Sequence, residues 1–127
     1  RIALIGHLSL QPDALKGASE VYIIEREPKP GDYPDSACEY ILPQCNIVVM
    51  TASAAVNKTM PRLIELSKCA KTVIIGPTAP LCPELKALGI DRISGLIIRD
   101  KEAFEGWAVE NHGSPYPARP AEGSDAR

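Results

Sequence analysis

The stretch Asn46-Ile47-Val48-Val49-Met50 is the clearest strand in the sequence, and it decides the fold class. Its isoleucine and valines are β-branched, and such side chains pack well on a pleated sheet. The apolar residues follow one another without alternating with polar ones, which is typical of a parallel strand buried on both faces. Similar apolar runs occur on either side of it, at Ile2–Ile5, at Val21–Ile24, at Thr72–Ile75 and within Ile90–Ile98.

The segments between these runs have the length and the boundary residues of short helices. Asp35 and Asp100 are suited to cap helices, and Pro61 is tolerated in the first turn of one. The loop Pro28–Pro34 contains three prolines and a glycine, which predict that it has no regular structure. The alternation predicts an α/β fold with a doubly wound, mainly parallel sheet of about five strands. The predicted helices are Gln11–Gly17, Asp35–Leu42, Met60–Lys68, Cys82–Leu88 and Asp100–Trp107.

The ends of the chain differ in character from its middle. Residues 1–111 are predicted to form one ligand-binding domain, whereas residues 112–127 are rich in Pro, Gly, Ala and charge and are predicted to be disordered. An apolar strand begins directly after Arg1 with no lead-in. We therefore expect an N-terminal companion domain outside this chain.

The composition excludes several classes of protein. Fourteen Lys and Arg residues against sixteen Asp and Glu residues give a net charge of -2, so a general nucleic-acid binder is not expected. The apolar runs are far shorter than the roughly 20 residues that span a bilayer. Four widely spaced cysteines and the lack of a secretion signal favour a cytoplasmic protein.

Candidate ligand-binding residues follow the strands at one edge of the predicted sheet. In a doubly wound sheet, ligands bind beyond the carboxyl ends of the strands. A histidine at this edge can ligate a metal, exchange a proton near neutral pH, or only hydrogen-bond a loop. An acidic residue after the second strand can accept a ligand hydroxyl or be a solvated strand end. The polar residues that follow the strands at this edge are His7, Glu25, Arg26, Thr51, Ser53, Asn57, Thr78 and Cys82.

The four cysteines cannot converge on one ion. Cys45 and Cys69 precede strands and belong to the opposite edge, and Cys38 belongs to a helix. Cys82 is a weak candidate metal ligand, since a cysteine is often only a small buried apolar residue. The spacing offers no CxxC pair of the kind that structural zinc sites use.

The connection Thr51–Thr59 joins a buried strand to a predicted helix through small residues. Free backbone N–H groups at a helix start favour anions, so this connection is a candidate site for a carboxylate or phosphate. The alternative is that Asn57 or Thr59 is an N-cap and Lys58 a solvated charge. Neither GxxxxGK[ST] nor GxGxxG is present, which disfavours ATP and NAD.

Four segments together resemble the Rossmann-like domain of the heavy-metal chelation family. They are Gly6-His7 after the first strand, Thr51–Thr59 after the third, Gly76–Pro80 after the fourth, and Gly89–Gly95. The resemblance covers about residues 1–110 and implies a three-layer Rossmann-like fold. It also implies a small N-terminal domain resembling that of enolase, with the ligand cleft between the two domains.

The resemblance implies binding of a heavy metal or an organic metal chelate. A lone His7 supplies too few donors for a transition metal, so further donors would come from the chelate, the companion domain or another subunit. Two other functions stay open. One is an enzyme acting on a small anionic metabolite with His7 as acid or base, and the other is a non-catalytic partner domain. Carried over by position, the candidate cleft residues are His7, Thr51, Ser53, Asn57, Lys58, Thr59, Gly76, Pro77, Thr78, Ser94 and Gly95.

Overall fold

The computed structural model describes residues 1–8, 10 and 12–110. The described residues divide into two compact units, and the second begins at Ile97. Within the described residues, the first unit contains a six-stranded sheet in which every pairing is parallel. Its strands are β1 (Ile2–Ile5), β2 (Val21–Glu25), β3 (Tyr33–Pro34), β4 (Ile47–Thr51), β5 (Lys71–Ile75) and β6 (Arg92–Ser94).

The strand order β3-β2-β1-β4-β5-β6 reverses direction between β1 and β4. Strands β2 and β3 lie in succession on one side of β1, and β4 lies on the other side of β1, followed by β5 and β6. This is the usual Rossmann order, and the point of reversal is where such sheets bind ligands. The predicted α/β class and its parallel, three-layer, Rossmann-like architecture are therefore confirmed, with six strands instead of about five.

The additional strand is β3, which lies in the loop predicted to have no regular structure. Tyr33 pairs with Ile24, and Pro34 pairs with Glu25. Pro34 lacks an N–H group and is tolerated here because β3 forms an edge of the sheet. The prediction was wrong because prolines exclude central strands and helices but not a short edge strand.

The core is centred on β4, which lies between β1 and β5. Val48 and Met50 of β4 are fully buried, as are Ala3 of β1 and Ile74 of β5. The uninterrupted apolar run in β4 thus corresponds to a strand covered on both faces.

The helices of the first unit are shorter than predicted. The segment predicted as one helix from Asp35 consists of two 3₁₀ turns, Asp35–Ala37 and Leu42–Gln44, on either side of α1 (Cys38–Ile41). Pro43 lies in the second turn and cannot donate the hydrogen bond that a continuing α-helix needs. The connection after β4 contains α2 (Ser53–Val56), which was not predicted, followed by α3 (Met60–Leu66). Near the end of the unit is α4 (Glu84–Ala87), and a 3₁₀ helix covers Pro12–Leu15.

The last strand lies within Ile90–Ile98, as predicted, but it is only three residues long and does not resume after Gly95. Only Arg92–Ser94 pairs with β5, although Ile90 is buried just before it. Leu96 is exposed, and the second unit begins at Ile97. The apolar residues of this stretch therefore do not all belong to one sheet.

The second unit contains α5 (Lys101–Glu110). The carboxylate of Asp100 accepts a hydrogen bond from the N–H of Ala103 at 2.9 Å, so the predicted cap is present. The rings of Phe104 and Trp107 stack with centroids 5.8 Å apart. The predicted domain boundary and the tail 112–127 lie outside the described residues. Within the described residues, every helix is too short or too polar to cross a lipid bilayer.

Candidate functional site

A cavity of about 430 Å³ lies at the carboxyl edge of the sheet, over the ends of β2, β1 and β4. It therefore includes the point between β1 and β4 where the strand order reverses. Apolar side chains from strands and helices form part of its wall, and charged and polar side chains form the rest. The lining residues are Ile5, Gly6, Ile24, Glu25, Arg26, Asp35, Ser36, Cys38, Glu39, Thr51, Ser53, Ala54, Asn57, Lys58, Thr59, Arg62, Leu63 and Leu66.

Six of the predicted site residues line this cavity together. They are Glu25 at the end of β2, Thr51 at the end of β4, and Ser53, Asn57, Lys58 and Thr59 in the connection after β4. Their convergence follows from the parallel order, since β2 and β4 both end at the same edge.

The other predicted residues do not line the cavity. Gly76 follows β5 and donates its N–H to the carbonyl of Ser94 in β6 at 3.0 Å. This contact holds together a separate part of the same edge, beyond the ends of β5 and β6. The predicted residues that fall outside the cavity lining are His7, Gly76, Pro77, Thr78, Cys82, Ser94 and Gly95.

Gly6 allows β1 and β4 to end close to each other. Its φ is +96°, which L side chains rarely adopt, and a Cβ on it would lie 2.5 Å from Cγ2 of Thr51. The hydroxyl of Thr51 is hydrogen-bonded to that of Ser53. The hydroxyls of Thr51 and Ser53 and the backbone of Gly6 therefore lie close together where the strand order reverses.

The backbone N–H groups of residues 57–59 are already engaged. Asn57 donates to the carbonyl of Ser53 at 2.9 Å, Lys58 to that of Ala55 at 3.2 Å, and Thr59 to that of Ala54 at 3.1 Å. These three groups close the end of α2 instead of opening α3, so they are not the free N–H groups on which the predicted anion site depends.

The alternative N-cap prediction is correct in position for Thr59 but not for Asn57. Thr59 is the N-cap residue of α3, although its side chain makes no capping hydrogen bond, whereas Asn57 is the C-cap of α2. The hydroxyl of Thr59 donates to the carbonyl of Ala54 at 3.3 Å. The predicted loop thus contains a short helix of one serine, two alanines and a valine.

A salt bridge joins α1 to α3 at the cavity wall. Arg62 donates from Nε and Nη2 to the two carboxylate oxygens of Glu39 at 2.9 and 2.5 Å, and from Nη1 to Glu65 at 2.7 Å. These bonds raise the pKa of Arg62 and lower that of Glu39. Because two glutamates compensate its charge, Arg62 shapes the wall and attracts an anionic ligand less than an unpaired cation would.

Arg26, which the sequence places at this edge beside Glu25, also lines the cavity, but the sequence interpretation missed Asp35, Ser36, Cys38, Glu39 and Arg62. Arg62 lies in the first turn of a predicted helix that starts at this edge. Position at a helix start was thus a usable signal. Burial, followed by the nearby acidic residues, raises the pKa of the Cys38 thiol to about 11, so this lining thiol stays protonated near neutral pH.

His7 lies beside the cavity and is held by two carboxylates. Its Nε2 is 2.9 Å from Oδ2 of Asp32, and its backbone N–H donates to Glu25 at 2.5 Å. The His7 side chain is 44% exposed, whereas that of Asp32 is only 7% exposed. The N–H of Lys29 and then the imidazole of His7 lower the pKa of Asp32. The carboxylate of Asp32 therefore fixes the orientation of an accessible imidazole.

The described residues do not supply a complete metal site. Among them, no three His, Cys, Asp or Glu side chains are grouped so that they could hold an ion. The Cys82 thiol donates to Glu84 at 2.6 Å and lowers the pKa of that carboxyl, and Nε2 of His7 is engaged by Asp32. Neither candidate metal ligand thus belongs to a set of donors that would hold a transition metal.

Comparison with known proteins identifies the family. A family profile described as "Putative heavy-metal chelation" matches residues 1–120. The chain belongs to the DUF364 family. The resemblance drawn from the Gly6, Thr51–Thr59, Gly76–Pro80 and Gly89–Gly95 segments is confirmed by this match.

Two solved structures of DUF364 proteins are similar to this chain. One, a protein with unknown function from Desulfitobacterium hafniense, is 32% identical with a TM-score of 0.73, and the match covers 91% of this chain and 47% of that one. The other, from Pyrococcus horikoshii, is 30% identical with a TM-score of 0.73, covering 90% of this chain and 48% of that one. This DUF364 chain thus spans about half the length of its solved relatives. No curated protein matches it.

Proposed function

We propose that this DUF364 chain binds a small organic molecule that carries a heavy metal, and that it does so in the cavity at the carboxyl edge of the sheet. The observation that carries the proposal is the cavity itself, because about 430 Å³ of space lies where a doubly wound sheet binds its ligands. The family description supports a role in metal chelation.

The proposal assigns the metal's ligands mainly to the organic molecule. The described residues lack a group of three metal-binding side chains, whereas the cavity is rich in hydrogen-bonding groups. Thr51, Ser53 and Asn57 would bind oxygens of the chelator, and Glu25 would accept a hydrogen bond from one of its hydroxyls. The metal would then be held by the bound organic molecule and not directly by side chains of the protein.

A companion domain would complete the binding cleft. The chain matches only about half of each solved relative, so the other half of those proteins is available to form a second wall. The residues at the ends of β5 and β6, from Gly76 to Thr78 and at Ser94 and Gly95, would contact a ligand that extends beyond the cavity. All four cysteines are free, in keeping with the reducing cytoplasm that we propose as the compartment.

The test compares two bulky substitutions on the same short helix. Ser53 and Ala55 are both exposed residues of α2, but only Ser53 lines the cavity. Ser53→Phe is expected to abolish binding of nickel citrate in isothermal titration, and Ala55→Phe is expected to leave it unchanged. Elemental analysis and native mass spectrometry of the purified proteins should detect any metal and organic molecule that co-purify with the wild type and Ala55→Phe.

Two results would contradict the proposal. Equal binding of nickel citrate by both variants would show that the ligand binds outside this cavity. Failure of the wild type to bind nickel citrate and to retain any metal or small molecule would favour the non-catalytic partner domain.

The His7–Asp32 pair supports a second candidate function, an enzyme that acts on a small anionic metabolite. A buried carboxylate that orients an accessible imidazole is the arrangement used in general acid–base catalysis. His7→Ala would then abolish turnover but leave binding in the cavity intact, and Asp32→Asn would lower turnover and alter its pH profile. Undiminished turnover in His7→Ala would exclude this role.

A further inference from the structure

Lys58 occupies a backbone position that normally belongs to glycine. It has φ +62°, and among the described residues it is the only non-glycine with a positive φ. It follows Asn57, the C-cap of α2, and so occupies the first position beyond the capped helix. In this conformation the Cβ of an L residue crowds its own backbone, which is why glycine, and after it asparagine, predominates there.

The hydrogen bonds of a Schellman motif fix this conformation. The N–H of Lys58 donates to the carbonyl of Ala55, and the N–H of Thr59 donates to that of Ala54. These are the two bonds that define the motif at a helix C-terminus. The backbone therefore needs a left-handed residue at position 58 whatever its side chain is.

The adjacent residue makes the lysine harder to explain by folding alone. Asn57, the type that tolerates the left-handed region, lies one position earlier with φ -76°. Exchanging the order of the two residues, or placing a glycine at 58, would satisfy the same backbone with less strain. Selection for stability alone accordingly disfavours Lys58.

The side chain of Lys58 lies in the cavity wall without an internal counterion. It lines the cavity, and in the part of the chain that the structure describes no carboxylate forms an ion pair with its ammonium. Arg62, on the same wall, is held by two glutamates. Lys58 thus offers the cavity a positive charge that the fold itself does not use.

We infer that Lys58 pairs with an anionic group of the cavity's ligand, a carboxylate or a phosphate, and that the chain keeps a strained lysine for this contact. The inference rests on the proposed function, since it concerns the same cavity. It names the chemical class of the ligand and the residue that recognises it. The anion is bound by the lysine side chain and not by the N–H groups of residues 57–59, which are engaged.

The experiment measures stability and affinity in the same variants of the full chain. Lys58→Gly is expected to raise the melting temperature, because the strain is removed, and to weaken binding by about tenfold or more, because a charge-assisted contact is lost. Lys58→Arg should keep the affinity. Lys68→Ala, which removes an exposed lysine outside the cavity lining, is the matched control and should change neither the binding nor the melting temperature appreciably.

Citrate and inorganic phosphate, each without metal, are the two probes, and they distinguish a carboxylate from a phosphate as the preferred anion. A higher melting temperature with unchanged affinity for the probe that the wild type binds would overturn the inference, because Lys58 would then be only a strained helix terminus. Binding of neither probe by the wild type would overturn it as well. The proposed function fails separately, since it is judged by nickel citrate binding and by the Ser53→Phe and Ala55→Phe pair.

Discussion

Replacing Gly6 by alanine is expected to destabilise the protein more than a positive φ alone can explain. The new Cβ would be held at φ +96° and would lie 2.5 Å from Cγ2 of Thr51. The backbone strain costs about 1 kcal/mol, and forcing a methyl group into this occupied space adds about 1–3 kcal/mol. The free energy of unfolding should therefore fall by about 2–4 kcal/mol.

Gly31→Ala is the matched control for this change. Gly31 has the same φ of +96°, but a Cβ there would meet nothing within 4 Å. Its substitution should cost only the strain, about 1 kcal/mol. Urea unfolding followed by far-UV circular dichroism is the suitable assay, because the single tryptophan, Trp107, belongs to the second unit.

A second substitution isolates the clash. Thr51→Ser removes the Cγ2 methyl group that the new Cβ would meet but keeps the hydroxyl that bonds Ser53. The Gly6→Ala and Thr51→Ser changes should therefore be coupled, with the double variant more stable than the sum of the two effects predicts. Equal losses in Gly6→Ala and Gly31→Ala, or strictly additive effects in the double variant, would refute the close approach of β1 and β4.

Three further predictions concern ionisable groups. The N–H of Thr72 holds the pKa of Asp91 below its usual range, so this carboxylate stabilises the fold above its unfolded-state pKa. In unfolding titrations, the greater stability of the wild type relative to Asp91→Asn should disappear as the pH falls through the lower folded-state pKa. Burial raises the pKa of Cys38 to about 11, so the contribution of the protonated thiol to stability is lost as the pH rises through that value. Iodoacetamide at pH about 8 should label the exposed Cys69 but not Cys38, which mass spectrometry of the labelled protein can check. Prompt labelling of Cys38 would contradict its burial. Arg62→Ala should lower the melting temperature slightly, and the difference should shrink at high salt because its bonds are exposed.

The sequence was sufficient to predict the sheet and the edge where the cavity lies. The apolar runs identify the main strands because burial on both faces leaves an uninterrupted pattern, as in β4. Once the strands are parallel, their carboxyl ends share one edge, which brings Glu25 and Thr51 together. These inferences depend on the hydrophobicity of the residues and the order of the elements, both of which follow directly from the sequence.

The details that failed depend on short-range hydrogen bonding. The four residues of α2 are too few to show the apolar periodicity of a helix, so α2 could not be recognised from the sequence. Its carbonyl groups accept the hydrogen bonds of the N–H groups of Asn57, Lys58 and Thr59. The Asp32 carboxylate beside His7 comes from a loop 25 residues further along the chain, and no pattern in the sequence links the two. Sequence patterns predict which groups reach an edge, whereas their pairing there depends on backbone turns of a few residues.

The proline in β3 bears on how this protein avoids joining its sheet to that of another molecule. A parallel edge exposes N–H and C=O groups that can serve as a template for a foreign strand. Here the edge strand is only two residues long and one of them, Pro34, has no N–H to offer. The residue that obscured β3 in the sequence therefore also makes that side of the sheet a poor starting point for aggregation, and replacing Pro34 with a β-branched residue would open it.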